Sequence, residues 1–238
     1  MLKKKIIDFI NYFFTKLIFL KYECSEIVFF LINRKNKFYN NHLCFFQDNE
    51  LDELDLNEVF NKKYYTKIKN QNNFFYLNSK IPEDVIEYLN SRMIYIDCKK
   101  IDHKILINII KKIYYPIKNS LNSNWKCIQL RAWITRKNSN ENKGPFKFHT
   151  DGMPSNVYKI MIYPNSINLE KGTIEIENHG IIESNNPSFL LFKNSLIKHR
   201  TIAGKTDDRP VIELTIVKSL FKNYHPRVGN INSTLPIL

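Results

Sequence analysis

From Trp125 onward the apolar positions recur every second residue. Ile128, Leu130, Ala132 and Ile134 alternate with Cys127, Gln129, Arg131 and Trp133, the period of a strand with unlike faces. Short apolar runs follow at Tyr158–Tyr163, Lys171–Ile176, Ser188–Phe192 and from Arg209, separated by turn residues at Asn165, Gly172, Gly180 and Asn185–Pro187. That rhythm suits a jelly-roll or double-stranded β-helix. In the last strand Arg209, Val211, Glu213 and Thr215 share a face, which leaves Glu213 either to pair with Arg209 or to contact a substrate.

Before Trp125 the period is longer. Ile105, Ile109, Ile113 and Ile117 fall on one stripe behind Asp102, and Ile81-Pro82-Glu83-Asp84 carries the proline and acids of a first helical turn, so both stretches are expected to be helices. Residues 6 to 20 repeat apolar positions at threes and fours, which predicts an amphipathic helix docked on the domain. Lys3, Lys4 and Lys5 ahead of it imitate a signal sequence, but Asp8, Asn11 and Lys16 interrupt the apolar run and no small-x-small cleavage site follows. The uninterrupted runs are too short to span a bilayer, and peripheral membrane contact is the less favoured reading. Residues 33–80 are polar and rich in Asn, with an acidic run from Asp48 to Glu58 and then Lys62, Lys63, Lys67 and Lys69. They read as a loose, solvated connection over one mouth of the barrel, with no chemistry of their own.

The expected fold is therefore α+β with a mainly β core, a single domain over 1–238. Residues 1–124 are its mainly helical N-terminal portion, 125–220 the double-stranded β-helix, and 221–238 an irregular tail. A chain of 238 residues with 43% hydrophobic and 13% aromatic content can bury such a core. Cys24, Cys44, Cys98 and Cys127 form no Cys-x-x-Cys pair and no disulfide framework, which suits buried thiols in a reducing, cytoplasmic setting. The formal charge of +13 points to an anionic substrate, a nucleic acid or an anionic membrane. Lys is scattered along the chain among abundant Asn and Ile, however, and no nucleic-acid motif is present, so no nucleic-acid partner is expected.

The candidate chemistry lies in Phe146-Lys147-Phe148-His149-Thr150-Asp151-Gly152-Met153-Pro154. In an extended strand His149 and Asp151 point the same way and can share one ion. Two imidazoles and one carboxylate make a facial triad, which holds Fe(II) with positions left open. A His-x-Asp alone is a weak motif. What adds weight is Gly144-Pro145 before it, Gly152 and Pro154 after it, strands beyond, and His199 with Arg209 entering later strands. On the strand from Trp125, Gln129 and Arg131 would face the barrel interior and meet substrate or co-substrate; Arg131 could equally be an interior salt-bridge partner. Lys147, inside the motif, is a further candidate substrate contact. Residues 136–145 form a polar loop at the motif's door, a candidate lid.

Taken in order, Phe148-His149-Thr150-Asp151, Tyr158–Tyr163, Lys171–Ile176, Ser188–Phe192, His199-Arg200-Thr201 and Arg209-Pro210-Val211 resemble the Fe(II)/2-oxoglutarate-dependent oxygenases, and within them the phytanoyl-CoA dioxygenase-like branch. The resemblance covers about residues 125 to 220 and is one of order and spacing. It implies an enzyme in which His149, Asp151 and His199 bind Fe(II) and 2-oxoglutarate chelates the metal. It further implies that Arg209 clamps the distal carboxylate, that Thr201 offers a hydroxyl to the co-substrate, and that O2 oxidises a small-molecule C–H bond with release of succinate and CO2. It also implies that the N-terminal helices buttress the larger sheet. Val211 stands where many relatives have Ser or Thr, and Asn178-His179-Gly180 stands where the branch often has Gly-Ser-His, so His179 reads as a loop residue. Asp151 sets the chain apart from the related halogenases, which have a small residue there. Two other classes stay open: a β-barrel binding protein without catalysis, and a cupin-like metalloenzyme that does not use 2-oxoglutarate.

Overall fold

The computed structural model describes residues 17, 20, 24, 42–47, 51, 56–67, 83–139, 143–151 and 156–228. Of the helix expected over 6–20, only Leu17 and Leu20 belong to the described residues, both helical and exposed. The architecture is mainly β, dominated by one large antiparallel sheet. In chain order the elements are β1 (Leu43–Gln47), α1 (Leu56–Val59), β2 (Tyr65–Thr66), α2 (Glu83–Arg92), β3 (Met93–Ile96), α3 (His103–Leu121) and β4 (Asn124–Thr135). There follow β5 (Tyr158–Tyr163), β6 (Gly172–Ile176), β7 (Gly180–Ile182), β8 (Ser188–Lys193), β9 (His199–Ala203) and β10 (Arg209–Ser219). Seven strands make the large sheet in the order β1-β8-β5-β10-β4-β3-β2, and β7-β6-β9 make a smaller one.

The alternation of side chains sorts the large sheet into two apolar faces. Ile160, Ile162, Ile212, Leu214, Leu130, Ala132 and Leu191 pack with Leu106, Ile109, Ile110, Ile113 and Ile117 of α3. Met161, Tyr163, Leu190, Phe192 and Val211, one residue out of phase, pack instead with Ile174 and Ile176 of the smaller sheet. Central strands are thus covered on both faces and read as continuous apolar runs. Asp102 caps α3 by accepting the Lys104 N–H at 2.9 Å. Trp125 then pins the helix to the sheet: its indole N–H donates to the Tyr114 carbonyl at 3.0 Å, and its ring stacks on Tyr114 at 4.9 Å between centroids.

Three features depart from the sequence reading. The stretch expected to be a loose connection contributes β1, an edge strand paired in antiparallel register with β8, and places Leu51, Leu56 and Val59 in the core. Leu43 and Phe45 serve one face of β1 and Cys44 and Phe46 the other, so no polar alternation marks it. β3 follows α2 directly where only helix was expected, because Met93–Ile96 also buries both faces. In β4 the register with β10 slips between Thr215/Ile216, pairing Thr215 with Gln129 but Ile216 with Cys127. Ile128 is the extra residue of a bulge. Trp125 and Cys127 therefore join Leu130 and Ala132 on the helix-side face, whereas strict alternation put Cys127 opposite. Beyond β10, Tyr224 and Val228 pack on the same core and Arg227 accepts the Leu130 N–H at 3.0 Å; the rest of the tail lies outside the described residues.

A close backbone approach holds β10's start against β6. Gly172, at φ +92°, faces Gly204: a Cβ on Gly204 would lie 2.5 Å from the Lys171 carbonyl carbon and 2.7 Å from the Asp207 oxygen. None of these atoms is the movable end of a side chain. Gly204→Ala is expected to lower stability by about 1 to 3 kcal/mol through overpacking, read from the midpoint of a urea titration. An unchanged midpoint would show that the loop before Arg209 yields freely.

Candidate metal centre

One backbone pairing builds the centre. His149 and His199 sit directly opposite each other across an isolated antiparallel bridge, each N–H donating to the other's carbonyl at 3.0 Å. This sets their rings 4.6 Å apart, and Asp151, two residues on from His149, returns to the same side. One ligand atom from each of the three lies within 4.8 Å of the others. The His149 Nδ1 is 2.7 Å from the Lys147 carbonyl and the His199 Nδ1 is 3.2 Å from the Ile197 carbonyl. A carbonyl only accepts, so each Nδ1 carries the proton and each Nε2 keeps its lone pair for an ion. The His149 Nε2 already faces the Asp151 Oδ1 at 3.3 Å. This donor set, two imidazoles and a carboxylate converging, with the His199 Nε2 free and the His149 Nε2 free once its proton toward Asp151 is displaced, fits a divalent ion of the iron type.

Electrostatics prepare the same three groups. Burial, then the nearby Lys159, pushes the His199 pKa down to about 4, so that ring is neutral. Asp151 is desolvated, but Lys159 and the His149 hydrogen bond outweigh this and hold its carboxyl well below the usual range. At His149 burial opposes the cation, yet the hydrogen bonds to Asp151 and to the Lys147 carbonyl prevail and raise its pKa. A metal must displace that proton. Affinity for Fe(II), or Mn(II) as a stand-in, is therefore expected to be constant above the raised His149 pKa and to fall about tenfold per pH unit below it, as followed by calorimetry at stepped pH. A flat profile from pH 8 to 5.5 would contradict this.

Behind Asp151 runs a chain of alternating charges. Lys159 of β5, 5% exposed, binds the Asp151 Oδ2 and lies 3.0 Å from the Glu213 Oε2. Glu213, 2% exposed, accepts on Oε1 from the Arg131 Nη2 and, at 2.9 Å, from Nε. Glu213 therefore pairs with Arg131 and Lys159, and the expected pairing with Arg209 is not formed, because the β10 register sets Glu213 across from Arg131 and Met161, next to Lys159. Lys159 escaped the sequence reading. Its signal was a lone charge on the inward phase of the apolar run Tyr158–Tyr163.

These groups line a cavity of about 620 Å³, with Leu89, Met93, Tyr95, Trp133, Met161, Ile174 and Thr201 completing the wall and Gly144 and Pro145 at its rim. Part of the loop expected as a lid thus borders the cavity; residues 140–142 lie outside the described residues. Arg131 lines it. Gln129 is buried on the same strand but is not among the lining residues, and neither is Lys147, whose side chain is exposed and whose carbonyl serves His149. His179 is exposed in the β6–β7 turn and joins no metal-ligating group among the described residues.

Arg209 opens β10 and is buried, 2% exposed. Its Nη1 donates to the Thr173 carbonyl, and its Nη2 donates to the Thr135 Oγ1 at 3.4 Å and the Thr201 Oγ1 at 3.3 Å. Its Nε has no partner, and among the described residues no carboxylate meets it. Burial accordingly depresses its pKa, opposed only by Tyr163, whose ring lies 5.6 Å from the guanidinium carbon. Because Thr201 both lines the cavity and accepts from Arg209, the guanidinium stands one hydroxyl behind the cavity wall.

No family profile matches the sequence, and no curated protein sequence matches it. Solved structures do. The chain is similar to the non-heme alpha ketoglutarate dependent epimerase SnoN from nogalamycin biosynthesis, with a TM-score of 0.53 and 8% identity over 74% of this chain and 76% of that one. A prolyl hydroxylase from Trichoplax adhaerens, in complex with a hypoxia inducible factor peptide fragment, gives a TM-score of 0.46 at 11% identity over 77% and 86% of the two chains. EctD from S. alaskensis with bound Fe gives 0.43 at 12% over 77% and 76%. The first likeness shows a shared fold.

Proposed function

We propose that this protein is a non-haem Fe(II)- and 2-oxoglutarate-dependent oxygenase that hydroxylates a C–H bond of a small molecule, releasing succinate and CO2. The order of its motifs favours the phytanoyl-CoA dioxygenase-like branch, with the two sheets as a double-stranded β-helix. The observation that carries the reading is the pairing of a three-ligand centre with a buried arginine that has no carboxylate of its own. A non-catalytic barrel needs neither feature, and a cupin-like enzyme without 2-oxoglutarate has no use for Arg209. The fold shared with an alpha ketoglutarate dependent epimerase is in keeping with this.

Iron held by His149, Asp151 and His199 would supply, with 2-oxoglutarate and O2, the oxidation of the substrate. The chain's own residues do the rest. The carbonyls of Lys147 and Ile197 keep both imidazoles in the ligating tautomer. Lys159 occupies one oxygen of Asp151 and leaves the other to the ion. Arg209 and Thr201 receive the distal carboxylate of the co-substrate in a charge-assisted pair. Met161, Ile174 and Trp133 keep water scarce around the reacting bond.

The decisive experiment is anaerobic titration of Fe(II) and 2-oxoglutarate into the metal-free protein. A weak visible absorbance band that needs both additions is expected, from chelation of the metal by the keto acid. A protein that binds Fe(II) without developing the band would exclude 2-oxoglutarate as co-substrate and return the cupin-like alternative.

A further inference from the structure

The proposed function leaves the substrate unnamed, and the walls of the cavity narrow it. We propose that the cavity selects an amphipathic anion of moderate size, with a carboxylate or phosphate head on Arg131 and an apolar body along Leu89, Met93, Tyr95 and Trp133. This concerns the same site as the proposed oxygenase and deepens that reading.

The charges in the wall decide the sign of the head group. The acids that line the cavity are Asp151 and Glu213, and both are committed. Glu213 gives one oxygen to Arg131 and the other to Lys159, while Asp151 gives Oδ2 to Lys159 and turns Oδ1 toward His149. The cations are not equally committed. Lys159 is 5% exposed between two carboxylates. Arg131 is 25% exposed and spends Nε and Nη2 on a single oxygen of Glu213, so its Nη1 makes no hydrogen bond to any described residue. Glu213 fixes the guanidinium plane from behind and leaves an edge of a rigid fork toward the cavity, the geometry that recognises carboxylate or phosphate. An ammonium head would find no spare acid and would face Arg131 uncompensated. In the loaded site a divalent ion and a dianionic co-substrate cancel, Arg209 adds one positive charge, and the preference for an anion persists.

The body follows from the apolar part of the lining. Leu89 comes from α2, Met93 and Tyr95 from β3 and Trp133 from β4. The Arg131 guanidinium carbon lies 6.0 Å from the Trp133 ring centroid, so head site and aromatic wall adjoin. A hydrophobic chain leaving the head would run along that wall.

Tryptophan fluorescence can test this directly. The chain has two Trp, of which Trp125 is fully buried against α3 and Trp133 lines the cavity, so a change on ligand addition reports the cavity. Octanoate, octyl phosphate, octanol and octylammonium would be titrated into the full-length protein, first metal-free and then with Fe(II) and 2-oxoglutarate under nitrogen. Octanoate or octyl phosphate is expected to saturate at about tenfold lower concentration than octanol, with octylammonium the weakest, and whichever anion leads tells carboxylate from phosphate. Arg131→Gln should bring anion and alcohol to equal affinity with octanol binding kept, which also certifies the fold. Equal binding of anion and alcohol by the unmutated protein, a preference for the ammonium, or an anion preference that survives Arg131→Gln would each overturn the proposal and return Arg131 to a purely internal salt-bridge role. The unmutated ratio decides even if the variant does not fold. Since the first series contains no metal, an anion preference without the Fe(II)–2-oxoglutarate band would sink the oxygenase reading alone, and the band without the preference would sink this inference alone.

Discussion

His149→Ala and Asp151→Ala are each expected to weaken Fe(II) binding by at least about a hundredfold while leaving the protein folded. Altering merely an outer partner of a metal ligand costs about 10- to 100-fold in affinity, and these changes remove a ligand itself. Folding should survive because the pairing that places the centre is made by backbone: His149 and His199 exchange N–H and carbonyl at 3.0 Å whatever the side chains. Asp151→Ala also leaves Lys159 its partner Glu213 at 3.0 Å, so no buried cation is stranded. Calorimetric titration gives the affinity and circular dichroism the fold. Undiminished iron affinity in both variants would remove the metal centre from consideration.

The convergence of His149, Asp151 and His199 was legible before the structure because its logic is largely local. A period of two puts His149 and Asp151 on one side, and no tertiary information is needed for it. His199 and Arg209 were legible as the residues that open two later strands at a fixed offset, and order along the chain tied them to the motif. What stayed hidden depends on which strands lie side by side. The Arg131–Glu213–Lys159–Asp151 chain spans β4, β10, β5 and the His-x-Asp segment, and only register reveals it. Without register Glu213 was as well matched to Arg209, with which it shares a strand face. β1 hid for a different reason: a five-residue strand apolar on both faces, set in polar sequence, has neither the length nor the alternation that identifies a strand. The bulge at Ile128 has no signature in composition, and it moved Cys127 from one face of β4 to the other.

Arg209→Ala should retain Fe(II) binding and need far more 2-oxoglutarate. The structure sharpens the reason. Glu213 is fully engaged by Arg131 and Lys159, so neutralising Glu213 is no longer a role for Arg209. What Arg209 does touch is neutral: the Thr173 carbonyl and the hydroxyls of Thr135 and Thr201. A buried guanidinium among neutral acceptors, with Nε unpartnered, is costly to maintain unless an anion arrives. The distal carboxylate of a chelated five-carbon diacid is such an anion, and Thr201 marks where the cavity meets the guanidinium. Removing the cation would leave that carboxylate desolvated and unpaired, a loss of about 3 to 5 kcal/mol, or roughly two to four decades in affinity. Arg209→Lys should fall between, since it keeps charge but loses the planar fork. The competing role is structural, with Arg209 tying β10 to β6, β9 and β4 through those three acceptors; it would lower thermal stability and leave co-substrate affinity alone. Measuring uncoupled succinate formation against 2-oxoglutarate concentration, beside the melting temperature of each variant, separates the two. A 2-oxoglutarate dependence in Arg209→Ala that matches the parent would remove the clamp and with it most of the case for this co-substrate.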